Sequence, residues 1–112
     1  SFSKGITPDL IEAKGLQDAD RLEATGAISI MRTFASSGQM NRPFYSPEDP
    51  FCENGHTDFR SGIDLFYRRL LIVEKTMHTE LAKKMARKRT QFLEKFLEQF
   101  REELVDSGII SK

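Results

Sequence analysis

The stretch spanning residues 16–38, LQDADRLEATGAISIMRTFASSG, limits the fold most, because helical spacing puts acids inside its apolar stripe. At about 100° per residue, Leu16, Ala19, Ala27, Ile30, Met31 and Phe34 gather on one face beside Gly26. Asp20 falls inside that stripe and Glu23 follows one turn later, while Asp18, Arg21, Thr25 and Arg32 cluster on the opposite, solvated side. An ionised carboxylate facing a core costs several kcal/mol unless a cation or hydrogen-bond donors satisfy it. Asp20 therefore needs a partner. A structural ion pair or helix-cap contact would serve. So would a divalent metal ion, since hard cations prefer carboxylate oxygens. Periodicity does not choose between them.

The rest of the chain predicts more helix. Thr7-Pro8-Asp9 reads as a helix start with Thr7 as N-cap, and Ile6 and Ile11 are spaced as a hydrophobic staple. Gly15 predicts a bend before the central helix, and Gly38 a stop just after Ser36. Residues 37–60 are the least regular, broken by Pro43, Pro47, Pro50 and Gly55. Connections this long are usually functional or mobile, but Phe44, Tyr45, Phe51 and Phe59 predict that this one packs down. Ser61 with Asp64 forms a capping-box variant, followed by a stripe of Ile63, Phe66, Leu70, Val73 and Met77. A corner at residues 76–79, with Thr76 as N-cap, leads into a last helix over residues 79–105, ended by Gly108. Its apolar face carries Leu81, Ala82, Met85, Phe92, Phe96, Phe100 and Leu104, widened by Ala86, Leu93 and Leu97. The rings of Phe92, Phe96 and Phe100 are expected to line one side. The expectation is an all-α fold of about four helices, one domain over residues 1–112.

Composition narrows the function classes. Seventeen basic and seventeen acidic residues cancel, so no global field attracts nucleic acid or an anionic membrane. The run Lys83, Lys84, Arg87, Lys88, Arg89 lacks interleaved aromatics and is followed by Glu94, Glu98, Glu102 and Glu103, which reads as a solvated helix face. One cysteine excludes an internal disulfide and fits a reducing compartment. No apolar run approaches the roughly 20 residues that span a bilayer, so a cytoplasmic protein is expected. Cys52 and His56 are four apart, a weak zinc signal without a second ligand pair. Arg42 and His56 could meet a phosphate, but surface polarity is the preferred reading of both. No Gly-rich phosphate loop or G-x-S-x-G occurs.

DADRLEATGAISIMRTF resembles the segment of the HD phosphohydrolase superfamily that carries its last metal-ligating aspartate. It is most similar to the branch of uncharacterised HD-domain hydrolases, which reads DADRLDA followed by GAI-x-I-x-RTF. Glu23 stands here for that Asp, and Ser29 for a frequent Gly. SGIDLFYRRLL and the final helix extend the resemblance over most of the chain, and SFSKG matches a segment that follows a histidine in that branch. The resemblance implies the C-terminal half of an HD-like helical domain, with Asp20 ligating a divalent metal (Mn, Mg or Fe). It further implies Arg21 neutralising a phosphate, Asp18 or Glu23 orienting waters, and Arg32 as a weaker phosphate contact. Joined to an N-terminal half carrying the family's His and His-Asp ligands, the domain would hydrolyse a phosphomonoester or nucleotide through a metal-bound water of lowered pKa. Neither His56 nor His78 is followed by Asp, so this chain alone is expected to be inactive. The rival expectation is a non-catalytic helical interaction module docking through the last helix. Apolar surface left uncovered by a missing half would also favour homo-oligomers.

Overall fold

The computed structural model describes residues 11–112; the expected cap at Thr7 and the staple of Ile6 with Ile11 lie outside the described residues or depend on them. The chain enters on α1 (Ile11–Leu22), turns sharply, and continues as α2 (Ala27–Gln39). The single central helix expected from about residue 16 to about Ser36 is instead two helices. The Ala24 amide bonds the Arg21 carbonyl at 2.9 Å, closing α1 with a tight turn. Gly26 then takes φ 96°, a backbone conformation that costs a side-chain-bearing residue energy. A Cβ at Gly26 would also lie 3.1–3.2 Å from carbons of Arg89. The break therefore falls at the Thr25-Gly26 step. Gly15, where a bend was expected, lies within α1.

Gly38 is likewise inside α2, and Asn41 takes the left-handed turn (φ 59°) that leads into the irregular stretch. That stretch is pinned where Gly62 and Ile63 donate to the carbonyls of Pro43 and Phe44, at 2.9 and 3.0 Å. Phe51 is buried and Tyr45 and Phe59 half-buried, as expected, while Phe44 remains exposed.

α3 (Gly62–Arg68) begins with the capping box that the sequence predicts. Ser61 Oγ accepts from the Asp64 amide at 3.3 Å, and Asp64 Oδ2 accepts from the Ser61 amide at 3.1 Å. Only a glycine fits at Gly62, because a Cβ there would overlap the Phe34 ring of α2. The apolar stripe does not continue as one helix. The chain leaves α geometry at Arg69 (φ −134°, ψ −61°) and tightens into a 3-10 segment, Leu70–Thr76. Leu70 and Met77 are still buried.

α4 (Glu80–Asp106) runs 27 residues, about 40 Å at 1.5 Å per residue. Its N-cap is Thr79, whose hydroxyl accepts from the Ala82 amide at 3.2 Å. Thr76, expected in that role, instead donates to the Val73 carbonyl. At the other end Gly108 (φ 74°) and Ile109 donate back to the carbonyls of Val105 and Leu104, at 3.0 and 2.9 Å. That pair of bonds is the Schellman stop.

Ile63, Leu65, Phe66 and Leu70 pack against Leu93 and Leu97 of α4 to form the main core. Phe96 stacks on Phe66 (centroids 5.4 Å, planes 14° apart), and Phe100 meets Tyr45 and Phe51, each at 5.4 Å. Phe92, expected in line with them, is exposed. A second cluster joins Met77, Ala82 and Ala86 to Leu22 and Val73. Among the described residues there is no strand, so the fold is all-α. No described helix is long and apolar enough to cross a membrane.

Candidate functional site

The acids of α1 exchange the places expected of them. Asp20, expected to face inward, is exposed, as is Glu23. Asp18, expected in solvent, is 2% exposed. The single-helix phase averaged two helices that share no axis, and α1 alone turns Ala13 and Asp18 inward. Asp18 Oδ1 accepts from the His78 amide and Oδ2 from the Thr79 amide, both at 2.8 Å. Burial pushes this carboxyl's pKa up, but the amide bonds from His78 and Thr79 and the Thr79 hydroxyl outweigh it, and the pKa falls below the usual value. The side chains of Gln17 and His78 hydrogen-bond alongside. Asp18 thus fastens α1 to the start of α4, both its oxygens engaged by backbone.

Asp20 instead lines a cleft of about 470 Å³ between the α1–α2 turn, α2 and the end of α3. The same cleft is lined by Glu23, Arg32, Arg42 and Arg69, which brings three arginines and two acids to its walls. Arg32 donates to Glu23 at 3.2 Å, with both side chains well exposed. Such a surface pair contributes about 0–1 kcal/mol and can be exchanged for a ligand at little cost. Arg42 and Arg69 sit over the Phe59 ring, at 5.8 and 4.9 Å from its centroid. Those distances permit cation–π attraction, which helps to position both guanidinium groups. Thr33 and Ser36 also line the α2 side, whereas the Ser29 hydroxyl there is taken by the Gly26 carbonyl at 2.6 Å. The arrangement suits an anion with several acceptor oxygens.

Of the expected site residues, the cleft collects Asp20, Glu23 and Arg32. Arg21 points elsewhere, donating to the Thr76 carbonyl at 2.9 Å. Arg42, read as surface polarity, and Arg69, which follows the last residue of α3, both join the cleft. No spacing signals them, because they come from different elements. Within the basic run of α4, Lys83 pairs with Glu80 at 3.2 Å, and Arg87 with Glu74 and Glu94 at 2.7 and 3.2 Å. Arg89 donates to the Leu22 carbonyl at 2.7 Å and so helps hold the α1–α2 turn.

A hard divalent ion of the kind the resemblance implies takes about six oxygen ligands. Asp20 and Glu23 are the carboxylates of the cleft, and Glu23 is shared with Arg32. The residues of this cleft therefore do not complete a site for that ion by themselves.

His56 was expected at the surface and is buried, its side chain 7% exposed. Its Nε2 lies 3.0 Å from Asp64 Oδ1 and 3.7 Å from Cys52 Sγ. Its Nδ1 lies 3.4 Å from Asp49 Oδ2, a charge contact without hydrogen-bond geometry. Burial, followed by the negative charge of Asp64, pushes the Cys52 thiol pKa up, against a smaller lowering from Arg68. Cys52, His56 and Asp64 form a group able to hold a metal ion. The Cys52–His56 spacing was visible in the sequence; Asp64 was hidden behind its role in the capping box.

No family model matches the chain. It is 34% identical over 79 residues to the uncharacterized protein YpgQ of Bacillus subtilis, a match covering 70% of this chain and 33% of YpgQ. Its structure is similar to that of an HD-superfamily hydrolase from Bacillus thuringiensis, at 41% identity and TM-score 0.71, over 83% of this chain and 46% of that one. It is also similar to B. subtilis YpgQ in complex with ADP, at 31% identity and TM-score 0.70, over 86% of this chain and 45% of that one. The chain thus spans a third of the curated relative and about half of these solved structures. In sequence and helical architecture the chain is thus similar to about half of an HD-superfamily hydrolase.

Proposed function

We propose that these residues form one wall of a metal-dependent phosphohydrolase site whose substrate is a small phosphorylated molecule, a nucleotide being the leading class. The observation that carries the reading is the cleft that sets Asp20 among Arg32, Arg42 and Arg69. A carboxylate beside clustered guanidinium groups matches what a metal-bridged phosphate requires: a ligand for the cation, and bidentate donors for the remaining oxygens. The HD-superfamily hydrolase and the ADP-bound YpgQ structure support that class. Arg32, Arg42 and Arg69 bind and orient the phosphate, Glu23 holds Arg32 until substrate arrives, and Asp20 is one metal ligand. The remaining family ligands come from the part of the domain outside this chain.

The test is hydrolysis of nucleotides, with manganese supplied, by a protein containing the whole domain. Asp20→Ala should lower turnover by at least about 100-fold, beyond the 10–100-fold typical of residues behind metal ligands. Retained turnover and unchanged metal content in that variant would sink the assignment. An exposed apolar face carrying Met31 and Phe44, beside the half-buried Ile30 and Phe34, favours a second reading, a helical docking module. Under that reading the Asp20 variant would leave partner binding intact and there would be no turnover to lose.

A further inference from the structure

We propose that Cys52, His56 and Asp64 bind a single zinc ion, with Asp49 supporting the histidine from behind, at a site distinct from the Asp20 cleft. Zinc holds thiolate sulfur at about 2.3 Å and imidazole nitrogen or carboxylate oxygen at about 2.0–2.2 Å. In a tetrahedron those bonds leave roughly 3.4–3.6 Å between neighbouring ligand atoms. Here Sγ and Nε2 are 3.7 Å apart, Nε2 and Oδ1 are 3.0 Å apart, and all three ligand atoms lie within 4.8 Å of one another. Closing them on an ion requires shifts of roughly an ångström or less.

The surroundings are arranged to match. The amides of Arg60 and Ser61 hold Asp64 Oδ2, at 2.7 and 3.1 Å, which leaves Oδ1 turned to His56. The amides of Glu53 and Asn54 hold Asp49, at 2.9 and 3.0 Å, and its Oδ2 faces His56 Nδ1. A carboxylate behind a histidine selects the tautomer with the proton on the far nitrogen, which leaves Nε2 to the metal. Nδ1 is buried and makes no hydrogen bond, and drawing the ring onto an ion would give it a reason for that position. Thiolate, imidazole and carboxylate together suit zinc, whereas magnesium and manganese favour all-oxygen sets. Three protein ligands leave a fourth position for water. The ion would tie the irregular stretch to the first turn of α3.

The competing arrangement is an imidazolium bridging Asp49 and Asp64, in which Cys52 plays no part. Cys52 therefore discriminates. The full chain, stripped by a chelator, is titrated with cobalt(II) and then zinc. We expect one equivalent of cobalt, with a thiolate-to-cobalt charge-transfer band and strong visible bands of four-coordination, displaced by zinc. Cys52→Ser should keep its helical circular dichroism, lose the charge-transfer band, and bind zinc at least about 100-fold more weakly; Asp49→Asn should bind it about 10-fold more weakly. Asp20→Ala should bind zinc like the parent. The proposal is overturned by absence of stoichiometric uptake, by absence of the charge-transfer band, or by parental zinc affinity in Cys52→Ser. Loss of zinc in Asp20→Ala would overturn it as well, by moving the ion to the cleft.

Discussion

The inner and outer sides of α1 put the same side chain to opposite uses. On the inner side Asp18 is buried and both its oxygens take backbone amides at the entrance to α4. On the outer side, two residues on, Asp20 is exposed at the edge of a cleft carrying three arginines. A buried carboxylate bonded to otherwise orphaned amides contributes to folding, because removing it leaves donors that nothing else satisfies. An exposed carboxylate contributes little to folding and can meet a ligand. The lesson is that an acid's use is set by what desolvates it, and a half-turn of helix is enough to change that.

The sharpest way to break this contrast is a pair of alanine variants. Asp18→Ala should cost about 2–4 kcal/mol, from two part-buried amides left without acceptors. Asp20→Ala should cost less than about 1 kcal/mol, because contacts made at an exposed position are worth little. Chemical denaturation of both variants decides it, and comparable losses would show that the two sides are not distinct.

Acidity sharpens the same comparison. The folded-state pKa of Asp18 is depressed, so its contribution is fully present above the ordinary carboxylate pKa, about 3.9, and is lost as pH falls through the lower folded value. The stability gap between the parent and Asp18→Asn should therefore hold from neutral pH down to about 4 and shrink below it. A gap that stays constant into strong acid would mean that the carboxylate's charge is irrelevant to the clasp.

On the outer side, Arg69→Ala in a protein containing the whole domain should raise KM for a nucleotide by roughly 10-fold, about 1.4 kcal/mol. Its effect on kcat should be smaller. A variant with unchanged KM would remove Arg69 from the phosphate contacts. Calorimetry of the chain alone should show only weak manganese or magnesium binding, since the cleft offers too few oxygen ligands. The smallest effect belongs to Lys84 on the exposed face of α4: Lys84→Ala should shift stability by less than about 0.5 kcal/mol. A larger loss would mean that this face is covered by something the structure does not contain.

Local chemistry made part of this protein legible. The capping box of Ser61 and Asp64, the Gly108 stop and the extent of α4 were readable because each rests on hydrogen bonds within a few residues, or on a long run of one period. The all-α class follows from the same continuous patterns, whereas the likeness to HD domains rests on the stretch DADRLEATGAISIMRTF. Tertiary structure decided what depends on where two segments meet. The break at Gly26 answers to Arg89 far along the chain, and the corner it creates sets which acid of α1 is buried. Arg42 and Arg69 became neighbours of Asp20 only through the packing of the irregular stretch and α3 on α2, and Asp64 reached His56 in the same way. A sequence carries periodicity and caps because these are interactions between near neighbours. Desolvation and the convergence of charges from separate elements are properties of packed surfaces, and they exist only once those surfaces have formed.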